Sequence, residues 1–454
     1  MMNTKQIRQK ILDLAIRGEL VPQDPTDEPA SVLLERIRAE KEQLIKDKKL
    51  KRDKKDNEPI DEVPFELPEG WEWCRLGEIA YIAAGSTPES SSFVDKGIPY
   101  LKVYNLRNQA IDFDYKPQYI KESIHNGILK RSKTEIGDLI MNIVGPPLGK
   151  LAIIPTSLPE SNFNQAAVLI RPYLYKNIIN KYLFYFLSEM SEINSISTKG
   201  SAGQINISLS QSKNMRVPFP PLAEQHRIVQ KIEQLFTLVD TIETHKEQLK
   251  SDVKQARNQV LNYAIAGKLT HQDPNDEPAE ALLKRIGKTT ATDTPYEKLP
   301  KGWAWCRLGD ITKTIATKPY QILQSEIEKN GDFPVISQSA NYIEGFSSDE
   351  TKVLKVEDFI IVFGDHTRVV KYIDFDFIVG ADGVKVILPN NNLSKYLYYL
   401  ILNASYKIEN RGYSRHFQFL QKEFFPLPPL AEQHRIVQKI ETYFSFLDTI
   451  EDSL

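Results

Sequence analysis

Residues 220–233 read PPLAEQHRIVQKIE, and residues 428–441 repeat this segment without a change, 208 positions later. Beyond the segment, Phe236 and the run DTIE at 240–243 recur at the same spacing. Two prolines followed by apolar residues at steps of three and four predict the start of a helix. The sequence therefore predicts the same helix start twice, and this self-similarity decides the fold before any single element is assigned.

Two further segments also occur twice, at different spacings. The tryptophan segment GWEWCRLG at 70–77 returns as GWAWCRLG 232 positions later, and DPTDEPA at 24–30 returns as DPNDEPA 249 positions later. The second copy is thus 17 residues shorter before the tryptophan segment and 24 residues shorter after it. The stretches between, 78–217 and 310–425, share little sequence. The chain therefore consists of two repeated frames that hold two different inserts.

The repeated segment opens a long helix in the middle of the chain. Apolar residues recur at alternating steps of three and four, which predicts a coiled-coil seam along a helix over 222–266. Gly267 suits the helix C-cap, and Asp273-Pro274 suits a stop soon after it. The predicted seam positions are Ile232, Val239, Lys246, Val253 and Val260 at a, and Leu235, Ile242, Leu249, Ala256 and Tyr263 at d.

The two chain ends carry pieces of the same helix. By the repeat offsets, residue 454 corresponds to residue 246 and residue 1 to residue 250, so only 247–249 lack a counterpart. This pattern predicts two long antiparallel helices related by a pseudo-two-fold axis, in a circularly closed organisation. The alternative is a tandem duplication with two independent domains and a linker helix.

The two inserts show the same order of elements. Short β-rich runs alternate with turn residues, as in GDLIMNIVG at 137–145 and DFIIVFGD at 358–365. A helix-like run follows in each, NKYLFYFLSEM at 180–190 and SKYLYYLILNA at 394–404, and then a polar loop that contains glycine. The matched order predicts one α+β fold with different side chains in the two inserts.

Composition limits the class of protein. The 454 residues carry 58 basic and 60 acidic side chains, a net charge of −2, and at about 150 residues per domain they suggest about three domains. No apolar run predicts a transmembrane helix and the first residues have no signal-peptide core, so we expect a cytoplasmic protein. Two cysteines exclude a disulfide scaffold and a cysteine-based zinc module. The balanced charge argues against a protein that coats nucleic acid.

The sequence contains none of the common catalytic motifs. Residues 145–151, GPPLGKL, lack the spacing and the hydroxyl of a phosphate-binding P-loop, and no HExxH or GxSxG segment occurs. Residues 350–352 match the minimal ExK pattern of some nucleases, which three residues often produce by chance. The seven histidines do not fall into metal-ligand spacings. We therefore expect neither a catalytic site nor a metal site in this chain.

The doubled PPLAEQHRIVQKI segment, the doubled GWxWCRLG segment and the two unlike inserts resemble the specificity subunit of a type I restriction–modification system, over essentially the whole chain. The segment GDHTRVVKYIDFDFIVGADGVKV at 364–386 resembles one recurrent class of target-recognition domain, and residues 137–172 resemble another. The resemblance implies a subunit without catalysis, in agreement with the absent motifs.

The resemblance also implies an architecture. Two globular α+β target-recognition domains would be joined by two long antiparallel helices that form a coiled coil. Each domain would read one half of a bipartite site on double-stranded DNA, and because the inserts differ the site should be asymmetric. The length of the seam would fix the number of unread base pairs between the halves. The implied boundaries are 1–59 for an N-terminal helical segment, 60–219 for the first target-recognition domain, 220–290 for the central long helix with a short helix, 291–427 for the second target-recognition domain and 428–454 for the C-terminal long helix.

Partners and cofactors follow from the resemblance in the same way. The helices would dock two methyltransferase (modification) subunits, and restriction subunits with ATP-driven translocation would join the complex. S-adenosylmethionine would belong to the methyltransferase subunits and ATP with Mg²⁺ to the restriction subunits, so this chain would hold no cofactor. The first insert carries a net charge of +4 and the second −2, so we expect modest DNA affinity for the chain alone.

Polar loop residues of the inserts are the candidate DNA-binding residues, with Arg and Lys suited to guanine and Asn and Gln to adenine. The alternative for any one of them is an ordinary polar side chain on a loop. The candidates in the first insert are Lys102, Tyr104, Asn105, Arg107, Asn164, Gln165, Lys199, Ser201, Gln204 and Asn206. The candidates in the second insert are Ser337, Gln338, His366, Thr367, Arg368, Arg411, Tyr413, Arg415, His416 and Gln418.

Other repeated residues have two interpretations each. The paired tryptophans are expected to pack where an insert meets the helices, with partner contact as the alternative. The basic run at 46–55, which the second copy lacks, suits a solvated helix or linker better than a phosphate contact. Six residues at the repeated helix start are candidates for a subunit interface, with bracing of the helix as the alternative: Glu224, Gln225, Arg227, Glu432, Gln433 and Arg435.

Other functions remain open at this point. One is the specificity subunit of a type IIB-like system, which cuts on both sides of its site. Another is a coiled-coil scaffold whose inserts bind proteins and do not read DNA. A single-chain nuclease or methyltransferase is disfavoured because its motifs are missing.

Overall fold

The repeat in the sequence is reproduced by two units, Met1–Thr244 (unit 1) and His245–Leu454 (unit 2), in the computed structural model of the chain. The structure describes residues 3–52, 60, 63–145, 148–158, 160–188, 206–291, 294, 298–381, 383–390, 393–409, 412 and 414–454. Within these ranges, no helix has both the length and the apolar character needed to cross a membrane.

The helices fall at matching places in the two units. Those of unit 1 are α1 (Thr4–Ile16), α2 (Ala30–Lys46), α3 (Leu76–Ile79), α4 (Glu122–Asn126), α5 (Lys176–Ser188), α6 (Leu209–Lys213) and the first part of α7 (Leu222–Ile265). Those of unit 2 are the remainder of α7, α8 (Ala279–Arg285), α9 (Leu308–Ile311), α10 (Tyr396–Lys407), α11 (Phe417–Leu420) and α12 (Leu430–Asp452). The predictions of a long central helix, a short helix in each insert and a C-cap at Gly267 are confirmed.

Each unit contains one antiparallel pair of helices. In unit 1, Arg8 at the start of α1 bonds to Asp240 of α7, whereas Gln23, beyond the end of α1, reaches back to Glu224 at 3.2 Å. The two helices therefore run in opposite directions. Ile11 on α1 is buried in the contact.

The pair in unit 2 repeats these contacts with other parts of the chain. Arg257, in the last turns of α7, bonds to Asp448 of α12, and Gln272 reaches Glu432 at 3.0 Å. Leu261 on α7 is buried in unit 2, as Ile11 on α1 is buried in unit 1. In unit 1 the N-terminal helix thus takes the position that the end of α7 takes in unit 2.

The predicted heptad seam is observed only in part. The a positions Val239 and Val253 are buried, but the d positions Ile242, Leu249 and Tyr263 remain 47%, 39% and 46% exposed. A straight helix has 3.6 residues per turn, so a strict seven-residue pattern drifts around its surface unless the helices supercoil. The prediction that both rows are buried was therefore wrong for these d positions, which leave an apolar face of α7 in solvent.

The strands of unit 1 form three small sheets and a hairpin. The sheet orders are β1-β12, β10-β4-β7-β3 and β2-β11-β8-β9, and β5 pairs with β6. Runs such as LIMN and AVLIRP are almost wholly buried, as expected for strands covered on both faces. The strands are β1 (Glu72–Arg75), β2 (Ala80–Ala84), β3 (Phe93–Val94), β4 (Ile98–Leu101), β5 (Leu106–Arg107), β6 (Ala110–Ile111), β7 (Tyr119–Ile120), β8 (Leu139–Asn142), β9 (Leu151–Ile153), β10 (Asn162–Phe163), β11 (Ala167–Pro172) and β12 (Arg216–Phe219).

Unit 2 has closely similar sheets. Their orders are β13-β22, β14-β21-β18-β19 and β16-β15-β20-β17. The strands are β13 (Ala304–Arg307), β14 (Thr312–Ile315), β15 (Phe333–Ile336), β16 (Gly345–Ser347), β17 (Val353–Leu354), β18 (Ile360–Gly364), β19 (Val370–Ile373), β20 (Phe377–Val379), β21 (Val384–Pro389) and β22 (Phe424–Leu427).

The strand pairings establish the correspondence between the inserts. The antiparallel sheet β2-β11-β8-β9 has the topology of β14-β21-β18-β19, and the parallel pair of β10 with β4 corresponds to that of β20 with β15. The prediction of one α+β fold in both inserts is therefore confirmed, although their sequences share little similarity. Loops at equivalent strand ends occupy equivalent places in the two units.

The tryptophan segment joins each insert to its helices through a buried hydrogen bond. The indole Nε1 of Trp71 donates to the Glu224 carboxylate at 2.9 Å, and Trp303 donates to Glu432 at 2.9 Å. Both indoles are buried, which confirms the packing interpretation for these two residues. Burial raises the pKa of the Glu224 carboxyl, partly opposed by hydrogen bonds from Trp71 and Gln23.

Helices α2 and α8 end in the same hydrogen-bonded motif with different residues. In α2 the N–H of Lys48 bonds to Ile45 O and that of Lys49 to Leu44 O, at 3.0 and 2.9 Å. In α8 the equivalent residue is Gly287, with φ +73°, whereas Lys48 has φ +59°. Glycine adopts this left-handed conformation freely, but a residue with a Cβ pays roughly 1 kcal/mol. The end of α2 is therefore strained where the end of α8 is not.

Candidate nucleic-acid interface

Three of the predicted loops of unit 2 meet at one edge of the insert. The N–H of His366 donates to the Gln338 side-chain oxygen at 3.2 Å, and the Thr367 hydroxyl donates to the Gln338 carbonyl at 2.6 Å. The ring of His366 bonds through Nδ1 to the Ser414 carbonyl at 3.2 Å. The segments 337–341, 364–368 and 414–418, far apart in sequence, therefore form one surface.

Two glycines allow this close approach. A Cβ on Gly364 would lie 2.9 Å from Cβ of Gln338, and a Cβ on Gly383 would lie 2.5 Å from its Nε2. Gly383 also has φ +88°, which other residues rarely adopt. The loop that carries Gln338 can therefore pack against its neighbours only because these positions lack side chains.

Buried hydrogen bonds hold the loop after α10 against the end of β18. The backbone N–H of His416 donates to the Asp365 carbonyl at 2.8 Å, and its ring Nδ1 donates to the same oxygen at 2.9 Å. The Asp365 carboxylate accepts the N–H of Phe417 at 2.8 Å. Both side chains are buried, so His416 orients the loop and does not face solvent, contrary to the prediction that it contacts DNA.

Lys371 fixes the loop on its other side. Its buried ammonium donates to the Ser337 carbonyl at 2.8 Å and to the Asn341 carbonyl at 2.5 Å. Burial lowers the pKa of Lys371 from its usual value, although the charge of nearby Glu344 opposes this. Glu344 in turn accepts a hydrogen bond from the buried Ser337 hydroxyl at 3.0 Å. The Ser337 side chain therefore also has a bracing role where a base contact was predicted.

The remaining candidates of unit 2 differ in exposure. Thr367, Arg415 and Gln418 are exposed, and Gln338, His366 and Arg368 are half-buried. Arg368 adopts φ +62° and its guanidinium donates to the Ile408 carbonyl at 2.6 Å, which ties this loop to the end of α10. The predicted residues Arg411 and Tyr413 lie outside the described residues.

The equivalent loops of unit 1 also converge. The N–H of Asn164 donates to the Leu101 carbonyl at 3.0 Å, which joins the segment after β10 to the segment after β4. Ile143 N donates to Ala166 O at 2.8 Å and Ile207 N donates to Ile143 O at 2.9 Å. Segments near residues 102, 143, 165 and 206 therefore share one edge, at the strand ends that carry the site in unit 2.

Asn105 organises the first of these segments. Its side-chain oxygen accepts the N–H of Lys102 at 2.9 Å, and its Nδ2 donates to the Asp112 and Tyr115 carbonyls at 3.0 and 2.9 Å. Because Asn105 is buried and its amide is occupied in this way, the prediction that it contacts DNA is not supported. Lys102 and Tyr104, on the same segment, are half-buried.

An exposed aromatic and basic cluster lies beside this segment. The guanidinium carbon of Arg107 lies 4.1 Å from the centre of the Tyr115 ring, and the Lys116 ammonium lies 5.3 Å from the same ring. The Tyr104 and Tyr115 rings meet edge to face at 6.1 Å. The cluster combines cations with exposed π-faces, a combination that suits nucleic acid.

Three amide side chains lie at the same edge of unit 1. The side-chain oxygens of Asn164 and Asn206 are buried and have no hydrogen-bond partner among the described residues. Gln165 is exposed and its side-chain oxygen accepts the Thr87 hydroxyl. Since buried polar atoms are nearly always paired, the two free oxygens indicate a place where a bound molecule or water can donate. Lys199, Ser201 and Gln204 lie outside the described residues.

The six residues predicted to dock a partner all make contacts around the two helix starts. Glu224, Gln225, Glu432 and Gln433 are buried, and the two glutamines donate to the carbonyls of Pro220 and Pro428 at 2.9 and 3.0 Å. The guanidinium groups of Arg227 and Arg435 bond to Asp27 and Asp276 at 2.6 and 2.5 Å. The four buried side chains therefore brace the helix starts, whereas a partner contact by the half-buried Arg227 and Arg435 stays a prediction.

Several residues with a role in this surface were missed from the sequence. Lys371 lies in a β-rich run with the spacing of an ordinary strand, and Tyr115 and Lys116 lie in a turn without a repeat mate. Among the missed residues, Thr87 did have a signal, because it lies in the polar stretch that follows β2. The two cysteines are buried thiols as expected, and burial raises the pKa of Cys306 to about 12, which makes a reactive thiolate unavailable at neutral pH.

The sequence matches a known family over most of its length. Residues 68–251 and 300–454 match the family described as Type I restriction modification DNA specificity domain. The specificity subunit of the type I restriction enzyme EcoAI from Escherichia coli is 28% identical over 96% of this chain and 88% of its own length. The EcoEI specificity subunit from Escherichia coli is 28% identical over 99% of this chain and 90% of its own length.

Solved structures share the fold at lower identity. The HsdS subunit from Thermoanaerobacter tengcongensis gives a TM-score of 0.54 at 20% identity, over 87% of this chain and 94% of its own. A chain from a structural study of complex assembly and conformational transition in the type I R-M system gives 0.59 at 20% identity, over 86% and 94%. The arrangement of helices and sheets is therefore shared with these proteins.

Proposed function

The chain belongs to the type I restriction–modification DNA specificity family, and from this membership we propose that it is the sequence-reading, non-catalytic subunit of such a complex. Unit 1 would read one half of a bipartite DNA site and unit 2 the other. The modification and restriction chemistry would reside in partner subunits with their own S-adenosylmethionine and ATP.

One observation carries this proposal: the two units share a topology and differ in the side chains of their converging loops. Unit 1 offers Arg107, Gln165 and neighbouring amides, whereas unit 2 offers Thr367, Arg415 and Gln418 at the equivalent edge. Arginine reads guanine and glutamine reads adenine through paired hydrogen bonds in the major groove. Two different loop sets on one scaffold suit two different half-sites, and therefore a site that is not palindromic.

Docking of two methyltransferase subunits is supported by a repeated apolar face on the helices. Leu238 and Ile242 of unit 1 are exposed, and so are their repeat mates Phe446 and Ile450 of unit 2. Exposed apolar side chains of this size at matched places are typical of protein interfaces. We therefore place one equivalent docking surface on each unit, in the stretch of helix that follows the buried helix start.

Two other functions compete with this one. A subunit of a type IIB-like system would use the same surfaces, and the proteins encoded beside this chain distinguish it from a type I subunit. A protein-binding scaffold without DNA readout is the second alternative, and the exposed helix faces are the observation in its favour.

The test is co-expression of the full chain with the methyltransferase encoded beside it, followed by mapping of methylated bases in the host genome. We expect co-purification and methylation confined to one asymmetric bipartite motif. The triple variant Thr367→Ala/Arg415→Ala/Gln418→Ala should relax one half of that motif and leave the other half unchanged. Purification of a stable complex that methylates nothing, or methylates without a motif, would favour the scaffold.

The docking surfaces have a separate test in the same system. Leu238→Asp/Ile242→Asp and Phe446→Asp/Ile450→Asp should each lower the number of bound methyltransferase subunits from two to one, measured by native mass spectrometry. A variant that retains two bound subunits would move the docking surface elsewhere.

A further inference from the structure

A basic groove lies on unit 1, between the end of α2 and the edge strand β2. It encloses about 580 Å³, and eight of its eighteen lining residues are Lys or Arg whereas one, Glu78, is acidic. The Glu78 carboxylate already accepts the backbone N–H of Arg75 at 3.0 Å. In a chain with a net charge of −2, such a surplus of cations around one cavity creates a local site for an anion.

We propose that this groove binds the phosphodiester backbone of the DNA that flanks the half-site of unit 1, an inference that rests on the proposed function. Lys49 pairs with Asp47 at 3.5 Å, but Lys48, Lys51, Lys130 and Arg131 form no salt bridge within the described part of the chain. All four side chains are exposed. Cations that are solvated and not neutralised by the protein are those that release counterions from DNA on binding.

The backbone at Lys48 provides a second, independent observation. Lys48 occupies the left-handed position at the end of α2, where α8 of unit 2 has Gly287 in the same hydrogen-bonded motif. Glycine would relieve the strain, so the lysine is held there at a cost to the folded state. Strain of this kind at a non-glycine residue points to a functional side chain, and Lys48 is one of the residues that line the groove.

Strand β2 connects the groove to the edge of unit 1 that carries the candidate DNA-binding residues. Ala80, Tyr81 and Ile82 of β2 line it, while the other end of β2 leads to Thr87, whose hydroxyl bonds to Gln165. Five strand residues at about 3.3 Å each span roughly 16 Å. At about 3.4 Å per base pair this length corresponds to roughly five base pairs of a duplex that runs parallel to β2.

The described part of unit 2 has a counterpart of β2 in β14 but none of the helix extension that forms the other side of the groove. Helix α8 ends at Arg285, whereas α2 continues to Lys46 and leads into the basic segment that the second copy does not contain. The extra contact is therefore expected on one flank of the DNA site only. The alternative ligand for the groove is an acidic segment of a partner protein. Two equivalent partner subunits would need an equivalent groove on unit 2, so this alternative is the weaker interpretation.

The experiment uses the full chain in complex with its methyltransferase and measures DNA affinity against salt concentration. The quadruple variant Lys48→Ala/Lys51→Ala/Lys130→Ala/Arg131→Ala should lower the steepness of log K against log salt by about 2–4, because each phosphate contact contributes about 0.9. The single variant Lys48→Gly should lower it by about 1 while the unfolding temperature stays equal or rises. Lys284→Ala/Lys313→Ala, two exposed cations of unit 2, is the matched control and should leave the slope unchanged.

Duplexes trimmed on one side test the position of the groove. Removal of the flank next to the half-site of unit 1 should weaken binding several-fold and abolish the difference between wild type and the quadruple variant. Removal of the flank next to unit 2 should have no such effect. An unchanged salt slope in the quadruple variant, or equal losses from both flanks, would overturn the proposal, and loss of methyltransferase co-purification would assign the groove to a protein.

The same experiments distinguish a failure of the groove proposal from a failure of the proposed function. A wild-type complex with no preference for any sequence would reject that function. The groove would still be tested by the salt slope on an arbitrary duplex, since phosphate contacts carry no sequence information.

Discussion

At the scale of single residues, the buried carboxylate at the start of α7 shows what the repeated sequence preserves. Glu224 accepts hydrogen bonds from Trp71 at 2.9 Å and Gln23 at 3.2 Å, and Glu432 has the same two partner types in unit 2. A carboxylate removed from water needs such donors, because an unpaired buried charge is costly. One hydrogen-bonded junction, made twice, therefore explains why these three separate segments occur in both halves of the chain.

The junction predicts the effect of Trp71→Phe. Phenylalanine keeps most of the apolar contact but removes the N–H that pairs with the Glu224 carboxylate, which leaves a buried acceptor unsatisfied. We expect a loss of about 1–3 kcal/mol in the free energy of unfolding, measured by urea denaturation. Trp73→Phe is the control, since the Trp73 indole is half-buried and its bond to the Phe65 carbonyl is longer, at 3.4 Å. Equal losses in both variants would contradict the proposed role of the Glu224 bond.

A second residue-scale prediction concerns pH and the loop of unit 2. Hydrogen bonds from Ser339 and Ser337, together with the charge of Lys371, lower the pKa of Glu344. A carboxyl whose pKa is lower in the folded chain stabilises the loop above its ordinary pKa and loses that contribution as pH falls through the folded value. Amide exchange of residues 337–344, corrected for the intrinsic pH effect, should therefore accelerate below about pH 4. Glu344→Gln should abolish this acceleration, and its persistence in that variant would exclude Glu344 as the cause.

At the scale of elements, the paired helices rest on the same contacts twice. Arg8 bonds to Glu243 at 3.5 Å and its guanidinium lies 4.9 Å from the Phe236 ring, while Arg257 bonds to Glu451 at 3.2 Å and lies 5.1 Å from Phe444. In each unit the arginine joins two antiparallel helices that are far apart in sequence. The helical frame is thus built from two equivalent joints.

The equivalence of the joints leads to a prediction for Arg8→Ala and Arg257→Ala. The salt bridges are partly exposed, so each substitution should cost about 1 kcal/mol or less, with the lost cation–π contact included. The two losses should be similar, and each should raise amide exchange only in the helix pair of its own unit, measured by mass spectrometry. An effect that appears equally in both units would contradict this local assignment.

The elements also show how far sequence reasoning extends. The helix starts, the C-cap at Gly267, the short helices α5 and α10 and the strands of both inserts were predictable because periodicity and cap residues are local signals. The exposure of Ile242 and Leu249 was not predictable, because it depends on which elements pack against each face of α7. The roles of Asn105, His416 and Lys371 were also hidden, since a buried anchoring residue and an exposed reader look alike in a polar loop sequence.

At the scale of the whole molecule, each unit supports its loop edge with a different buried anchor. Asn105 holds the segment after β4 through three backbone groups, and Lys371 holds the segment after β15 through two carbonyls. Both anchors are buried, and they are residues of different types on different elements of the two units. A shared topology thus presents two loop sets whose geometry is set independently.

Because the two loop sets are fixed independently, we predict that a substitution in one unit affects only the half-site that this unit reads. Asn105→Leu should loosen only the loop of unit 1, and Lys371→Met only the loop of unit 2, because each removes the polar group that fixes the local backbone. In the complex with its methyltransferase, each variant should relax discrimination at one half of the bipartite motif by about tenfold per base pair, or about 1.4 kcal/mol. This lies within the roughly 1–3 kcal/mol that a base contact contributes. Sequencing of methylated genomic sites measures both halves at once. Because each variant serves as the control for the other, relaxation of the same half in both, or of both halves in either, would show that the units do not read DNA separately.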